Sequence, residues 1–533
     1  MQDLIDVYGL PFLQFVLNMT EEDFGTCTLS DRQLQVVQTL RDLSERDKGR
    51  EPIVRWMNLG SAATRLLPDM KMSAAAYFRV HCGGAVDIPT VEGDAIGQML
   101  LNAAKDVYAA YLIKRPTEHT YLGVPVAHYV ANNEEFIRFC NAVLHDPRLK
   151  YLFPGYIDAA EMASIQDLVE VSSMIFSVAG GGSSLQLLML PDAILRSAFA
   201  KCSLRGATGL DDYLQETLNT LEDVRELAAG RAVSIPVAIG LTNVTFDGLD
   251  ELNLPGGMLR KVSSADFAHI PEAAQVEAVL TFQVSFKLLA KKAHPRDEMF
   301  PDFSQLFPQV EKWQNSLQDG INKRLLTLML ASPSGHRSAA ITVSQSVFVP
   351  LSLAPDMSWQ ERPPATTADR ITISSADVGE IQTWMRKVLD QHPKNLGVAM
   401  RRIISAVGAR IDPVDSLVDA VLAWENMFSG TPETSLRVCG SLAHLLEPED
   451  FSLRQDLFGE LGKIYSMRSD IVHGKANEPS TAEVTQQRAR AVEIAVMAMR
   501  KLYEFPDLLK AENSSVRGKN ILLGRVLGSA IDR

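Results

Sequence analysis

Cysteine is scarce in this chain of 533 residues. The five present, Cys27, Cys82, Cys140, Cys202 and Cys439, are scattered and odd in number. They have neither metal-ligand spacing nor the look of a disulfide framework, so reduced thiols and a cytoplasmic location are expected. Long apolar runs are missing as well. None reaches the roughly 18–20 residues that a bilayer-spanning helix needs, so no membrane role is expected. The start, Met1-Gln2-Asp3-Leu4-Ile5-Asp6, lacks a basic stretch and does not read as a signal peptide. Internal repeats and low-complexity tracts are also lacking. So is positive charge: the formal net charge is −13, which argues against a generic nucleic-acid coat.

What is present is a globular composition, 46% hydrophobic, in a chain long enough for two to four domains. The acidity is uneven. From Asp369 onward 21 Lys and Arg face 22 Asp and Glu, whereas the part before it holds 31 against 43. An acidic N-terminal part would repel RNA. It suits a sensor or protein-binding region, although ordinary solubility accounts for it equally well.

The patterning predicts an α+β region over 1–365, helical over 1–230 and strand-rich over 231–350. A helical bundle over 369–510 and a tail over 511–533 follow. Ser30-Asp31-Arg32-Gln33 opens an amphipathic stretch with Leu34, Val37, Leu40 and Leu43 on one face. Further helices are expected near 93–112, 133–145, 158–177 and 210–229. Leu280, Phe282, Val284, Phe286 and Leu288 alternate with polar residues, as in a half-buried strand. Similar strands are expected at 233–246, 325–331 and 340–349, and a short one at 370–374. Pro363-Pro364-Ala365-Thr366-Thr367 reads as a linker. Beyond it, Asp412-Pro413, Thr431-Pro432-Glu433 and Ser480-Thr481-Ala482-Glu483 read as helix starts, with Gly430 and Gly474 as stops.

The chemistry concentrates at Tyr465-Ser466-Met467-Arg468-Ser469-Asp470-Ile471-Val472-His473-Gly474. Arg grips phosphate oxygens with a fixed fork of donors, and His moves protons near neutral pH. On a helix Ser469 lies four and Asp470 three residues before His473, so both lie near it, while Arg468 sits about 140° round. The helix macrodipole favours the charged form of a His at that end. Four Arg-then-His pairs share this loose spacing: Arg138/His145, Arg386/His392, Arg437/His444 and Arg468/His473. Only the last has a small polar residue after the Arg and a Gly after the His. The plain alternative is that both side chains satisfy terminal carbonyls of the helix. Glu425 falls on the apolar face of Val414, Leu417, Val418, Val421 and Phe428, so it needs a partner. Arg402 and Arg437 are candidates. Glu425 is expected either to make a structural ion pair or to position Arg468 or His473.

Val398-Ala399-Met400-Arg401-Arg402-Ile403, Asp415-Ser416-Leu417-Val418-Asp419-Ala420-Val421-Leu422-Ala423-Trp424-Glu425-Asn426-Met427-Phe428, Ser435-Leu436-Arg437-Val438 and the Arg468–Gly474 segment follow in that order. Over roughly 395–505 this resembles the Apea-like branch of the HEPN superfamily. The resemblance implies a helical bundle acting as a homodimer. It also implies a metal-independent endoribonuclease of bacterial anti-phage defence or toxin type. Arg468, His473, Ser469 and Asp470 would be catalytic, supported by Glu425, Arg402 and Arg437. No cofactor or metal is expected. The N-terminal region would sense a protein or phage-derived trigger or restrain the nuclease.

Two other readings remain open. One is a bundle kept for dimerisation and binding without catalysis. The other is a nucleotidyl-modifying enzyme using Gly180-Gly181-Gly182-Ser183-Ser184, although no Lys-Ser/Thr follows at phosphate-loop spacing. His81, His119 and His128 form no metal-ligand pattern.

Overall fold

A capping box starts the helix Asp31–Arg46, with Ser30 Oγ accepting from the Gln33 N–H and the Gln33 side chain returning to Ser30. Val36, Val37 and Leu40 carry its buried face, whereas Leu34 stands outside it, half exposed. This helix packs with Gln2–Tyr8, Pro52–Thr64 and Ala74–His81. Ala95–Leu112, Leu190–Leu204 and Leu210–Ala228 continue the helical N-terminal part. In the computed structural model the described residues are 1–26, 28–116, 134–157, 160–162, 164–180, 182–263, 266, 270, 276–293, 302–331, 341–352, 356–359, 370–474 and 480–524. The expected linker at 363–367, and His119 and His128, lie outside them.

Two antiparallel sheets stand between the helical parts. The larger has six strands in the order Asp356–Trp359, Ile341–Val347, Val233–Thr242, Ala278–Phe286, Gly257–Lys261, Glu251–Leu254. Its central strand Val233–Thr242 is buried along almost its whole length, as its run of Val, Ile, Ala and Leu requires. The smaller sheet places Ser172–Ser177 between Leu288–Ala293 and Gly182–Gln186. Of the helix expected over 158–177, the described residues hold only the short Ile165–Val169, and Ser172–Ser177 is a strand paired on both sides. Tertiary pairing overrides the helical pattern there.

The strand expected at 325–331 is instead the end of a long helix, Phe307–Ala331. Leu325-Leu326-Thr327-Leu328-Met329-Leu330-Ala331 is buried throughout because the helix is covered on more than one side. Arg324 stacks over the Phe282 ring of the large sheet at 4.0 Å. The helix also packs on Val378–Gln391, Gly397–Ile404 and Thr481–Leu502. A continuous apolar run has no period with which to tell helix from strand.

The C-terminal part is helical after the strand Ile371–Ser374, which pairs in parallel with Val244–Asp247. Its helices are Val378–Gln391, Gly397–Ile404, Pro413–Phe428, Thr434–Leu446, Phe451–Val472, Thr481–Leu502, Pro506–Leu509 and Ser514–Leu522. Asp412 caps Pro413–Phe428 through the Val414 N–H. Ser480 caps Thr481–Leu502 through the Glu483 N–H. These two helices form the bundle's axis, joined by the fully buried Trp424, whose Nε1–H donates to the Ala491 carbonyl at 3.2 Å. The expected tail is in part a docked element. Ser514–Leu522 packs on Pro413–Phe428 and Thr434–Leu446, and its Arg517 is fully buried.

Candidate active site

The motif helix Phe451–Val472 starts at Asp450, whose carboxylate accepts from the Leu453 N–H at 3.0 Å. It ends where Gly474 takes φ +62°, a left-handed conformation that glycine adopts without strain. Only Leu457, Leu461 and Ile464 of this helix are buried. Phe451, Leu453, Phe458 and Val472 are exposed apolar residues. The helix lies along the outside of the bundle, against Thr434–Leu446 and Pro413–Phe428.

Its packing against Pro413–Phe428 brings three side chains together. Glu425 Oε1 accepts from the Tyr465 hydroxyl at 2.6 Å, and Glu425 Oε2 lies 3.5 Å from Arg468 Nη2. Glu425 and Arg468 are 19% and 17% exposed. Burial and the neighbouring Glu425 carboxylate push the Tyr465 phenol well above its ordinary value, so it stays a proton donor to Glu425. Arg468 Nε is buried and has no hydrogen-bond partner among the described residues. A mostly buried guanidinium thus holds one long contact at the limit of a hydrogen bond, with donors to spare.

His473 is the C-terminal capping residue of the same helix. Its backbone N–H donates to the Ser469 carbonyl at 3.0 Å. Its side chain is exposed, and its ring has no hydrogen-bond partner among the described residues. Ser469 and Asp470 are half-buried on the last full turn. The three competing Arg–His pairs differ from this one. The His145 ring lies 2.7 Å from its own helix's Asn141 carbonyl, and the His444 ring 2.9 Å from the Gly440 carbonyl. The His392 ring is buried 2.7 Å from the Tyr503 hydroxyl. Each of those rings is engaged in a structural contact.

Arg402 and Arg437 are not the partners of Glu425. Arg402 pairs with Asp419, which is 2% exposed and also takes bonds from Ser405 Oγ at 2.7 Å and Arg410 Nε at 2.8 Å. Burial raises the Asp419 carboxyl, but the bonds from Arg410, Ser405 and Arg402 outweigh it and hold the group below its ordinary value. A wide, π-helical turn at Ser405–Ala409 brings Ser405 and Arg410 to Asp419. Arg437 Nε donates to the Pro432 carbonyl at 2.9 Å. Sequence reasoning offers these two arginines as candidate partners of Glu425. It passed over Tyr465, which stands three residues before Arg468 on one helix face.

The helix Thr481–Leu502 turns Val484, Val492, Ile494, Val496 and Met499 into the bundle, so only Met497 is left as a large exposed apolar residue on it. Its apolar content serves the bundle's own core. Among the described residues no group of three or more His, Cys, Asp or Glu could hold a metal ion, and no helix is long and apolar enough to cross a membrane. Comparison of the chain with protein-family models, with curated proteins and with solved structures finds no match.

Proposed function

We propose that the protein is a metal-independent endoribonuclease whose site is built on Arg468 and His473 and completed by a second copy of the chain. The observation that carries this reading is the state of Arg468: mostly buried, loosely held by Glu425, and with Nε lacking an acceptor among the described residues. Such a donor set suits a phosphate oxygen. Arg468 stabilises the charge that develops on phosphorus, and His473 moves a proton at the 2′-hydroxyl or the leaving 5′-oxygen. Ser469 and Asp470 orient His473 or the substrate. Tyr465 and Glu425 hold the Arg468 side chain from behind. A single chain offers one such Arg and His, whereas the reaction needs both an acid and a base. The exposed Phe451 and Phe458, two turns apart on one face of the motif helix, give a second copy an apolar contact.

The bacterial defence or toxin role, and a trigger acting on the N-terminal region, follow from the resemblance to HEPN proteins and are part of this proposal. A bundle that binds without cutting is the alternative. It is favoured by the His473 ring, which makes no hydrogen bond among the described residues. The nucleotidyl-modifying reading loses ground, because no Lys or Arg lines the cavity at Gly180–Ser184 among the described residues.

The test is incubation of purified protein with RNA and with DNA of matched sequence, with and without EDTA, followed by mass spectrometry of the ends. Attack by the neighbouring 2′-hydroxyl predicts cut RNA, intact DNA, 2′,3′-cyclic phosphate and 5′-hydroxyl ends, and activity that survives EDTA. Ends bearing 5′-phosphate, or complete loss with EDTA, overturn the mechanism. RNA bound but never cut favours the alternative.

A further inference from the structure

Register divides the small sheet between two faces. Met174 and Phe176 belong to one, where they pack with Phe303 and Val310 in an apolar cluster. Ser183 pairs with Ile175, Leu288 pairs with Ser177, and Leu185 lies two residues beyond Ser183, so these five share the other face. All five line a cavity of about 560 Å³, within the usual size range of ligand sites. Phe286 lines it too, and so do Val349, Leu351 and Ser352 from the turn that the Ser352 N–H closes on the Val349 carbonyl at 3.1 Å. Only Lys287 separates Phe286, at the end of a large-sheet strand, from Leu288, at the start of a small-sheet strand. The cavity therefore lies where the chain crosses from one sheet to the other.

Its polarity is graded. Ile175, Leu185, Phe286, Leu288 and Leu351 are buried and make an apolar base, whereas Ser183 and Ser184 are exposed, and Ser177 and Ser352 half-buried, towards the opening. Interiors pack densely, so apolar side chains around a space of this size lack contacts that an apolar guest would supply. No Lys, Arg, His, Asp or Glu is among the described lining residues, so a charged guest would be stripped of water without a partner. Lys291 shares the Ile175 face, but its amine donates to the Ala228 carbonyl. The hydroxyls are available. Ser177 Oγ accepts from the Ala179 N–H at 3.2 Å and keeps its own proton to give, and the Ser183 and Ser352 hydroxyls make no hydrogen bond among the described residues. A nucleobase would carry donors and acceptors into the apolar base, where no polar side chain answers them. A guest with an apolar body and oxygen at one end only fits the whole gradient.

We propose that this cavity binds an uncharged amphiphile, with its apolar body against the base and its hydroxyl or carbonyl oxygen at the serines. A single acyl chain with an uncharged head and a flat fused-ring alcohol share that chemistry. The site is independent of the ribonuclease reading, because it shares no residue with the Arg468 site.

The test titrates the full chain by calorimetry with four probes, each below its micelle concentration. Decanoylglycerol and estradiol are the uncharged chain and ring. Decanoate and decyltrimethylammonium carry a similar chain with an anionic or a cationic head. The expected result is saturable binding of at least one uncharged probe at one site per chain, with both ions at least about tenfold weaker for want of a counter-charge. Which uncharged probe binds tells a chain lipid from a ring alcohol. S183W fills the opening from an exposed position, so it should leave the melting temperature unchanged and weaken the bound probe at least about tenfold. A diazirine at the apolar end of the bound probe should, on illumination, label the peptides that hold Ile175, Leu185, Phe286 or Leu351. Absence of binding by both uncharged probes overturns the proposal. So do ions that bind as tightly, a folded S183W that binds as the wild type does, or label confined to other peptides. Should S183W fail to fold, the labelled peptides and the charge preference decide.

Discussion

His392 should make the fit between the N-terminal part and the bundle sensitive to acid. It follows the helix Val378–Gln391, which packs on Phe307–Ala331, and is 8% exposed. One ring nitrogen lies 2.7 Å from the Tyr503 hydroxyl, and Nε2 is buried with no hydrogen-bond partner within geometric limits among the described residues, although the Leu396 backbone weakly favours the charged ring. Burial foremost, then the charge of Lys323 on the facing helix, pushes the imidazole down to about 4; Asp319 acts the other way, and Arg517 adds a smaller lowering. In the unfolded chain a His titrates near 6.5. The folded value is the lower one, so folding favours the neutral ring. The stabilisation is complete above about 6.5 and is lost as pH falls towards 4. At pH 5 the unfolded ring is mostly charged and the folded ring mostly neutral. The difference of about 1.5 pH units below the unfolded value costs about 2 kcal/mol relative to pH 7. Urea titrations at pH 7, 6 and 5 test this, following the bundle's transition through its buried Trp424. H392Q keeps a hydrogen-bonding group beside Tyr503 but does not titrate. Its loss of stability between pH 7 and 5 should be smaller than that of the wild type by about 2 kcal/mol. Equal losses in the two proteins refute the reasoning.

Arg468→Ala should separate activity from stability. The 3.5 Å contact to Glu425 makes the substitution cost under about 1 kcal/mol in thermal unfolding, while RNA cleavage falls by about 10²–10³. His473→Ala should lose about 10²–10⁴ in rate with no change in melting temperature, because its ring is exposed. Asp419→Ala should cost about 2–3 kcal/mol in denaturant titration, less than a fully buried pair, because Arg402 and Arg410 are about two-fifths exposed and can turn to water. Asp419→Asn, which keeps acceptors for Ser405 and one Arg, should cost less. Arg517→Met should cost about 3–5 kcal/mol by the same measurement. It removes the donor to the Met427 carbonyl, at 2.9 Å, and the strongest of the donors to the Leu508 carbonyl, at 2.8 Å, from a buried site.

Helix ends were the legible part of this sequence, because their signals are local. Asp412-Pro413, Ser480 and Gly474 each act through hydrogen bonds or φ values set within a few residues. Strand alternation over Ala278–Phe286 was legible for the same reason. What failed depends on distant neighbours. The apolar run 325–331 lacks a period because the helix that contains it is covered on several sides. Ser172–Ser177 becomes a strand through partners at 182–186 and 288–293. In the candidate site, the inward position of Glu425 could be read from its spacing along one helix. Its partners could not, because they depend on how two helices 40 or more residues apart in the chain are rotated against each other. Arg402 and Arg410 were drawn to Asp419, one turn and a half earlier on the same helix.

The two bonds to Glu425 divide its labour and lead to one more prediction. The Tyr465 bond is short, 2.6 Å, whereas the Arg468 contact is long, 3.5 Å. Glu425 is therefore anchored by the phenol and only leans on the guanidinium. Were the carboxylate free to rotate, it would close a two-pronged bond with Arg468, the stronger arrangement for such a pair. A phosphate would then have to break that bond before using the same donors. Tyr465 accordingly keeps Arg468 available. Removing the hydroxyl with Tyr465→Phe should leave the fold intact and weaken RNA binding or cleavage, although the phenol touches no substrate. A charge-assisted bond of about 1.5–3 kcal/mol that must be displaced corresponds to a loss of about ten- to a hundredfold. Adding Glu425→Gln in the Tyr465→Phe background removes the competing charge and should recover much of that loss, so the two changes combined act less severely than Tyr465→Phe alone. A simple packing role for Tyr465 predicts the opposite, since two disruptions at one contact would not repair each other. Measured cleavage rates for the wild type, Y465F, E425Q and the double variant close the cycle. If Y465F cuts as fast as the wild type, or if the double variant falls below Y465F, Glu425 does not compete with phosphate for Arg468.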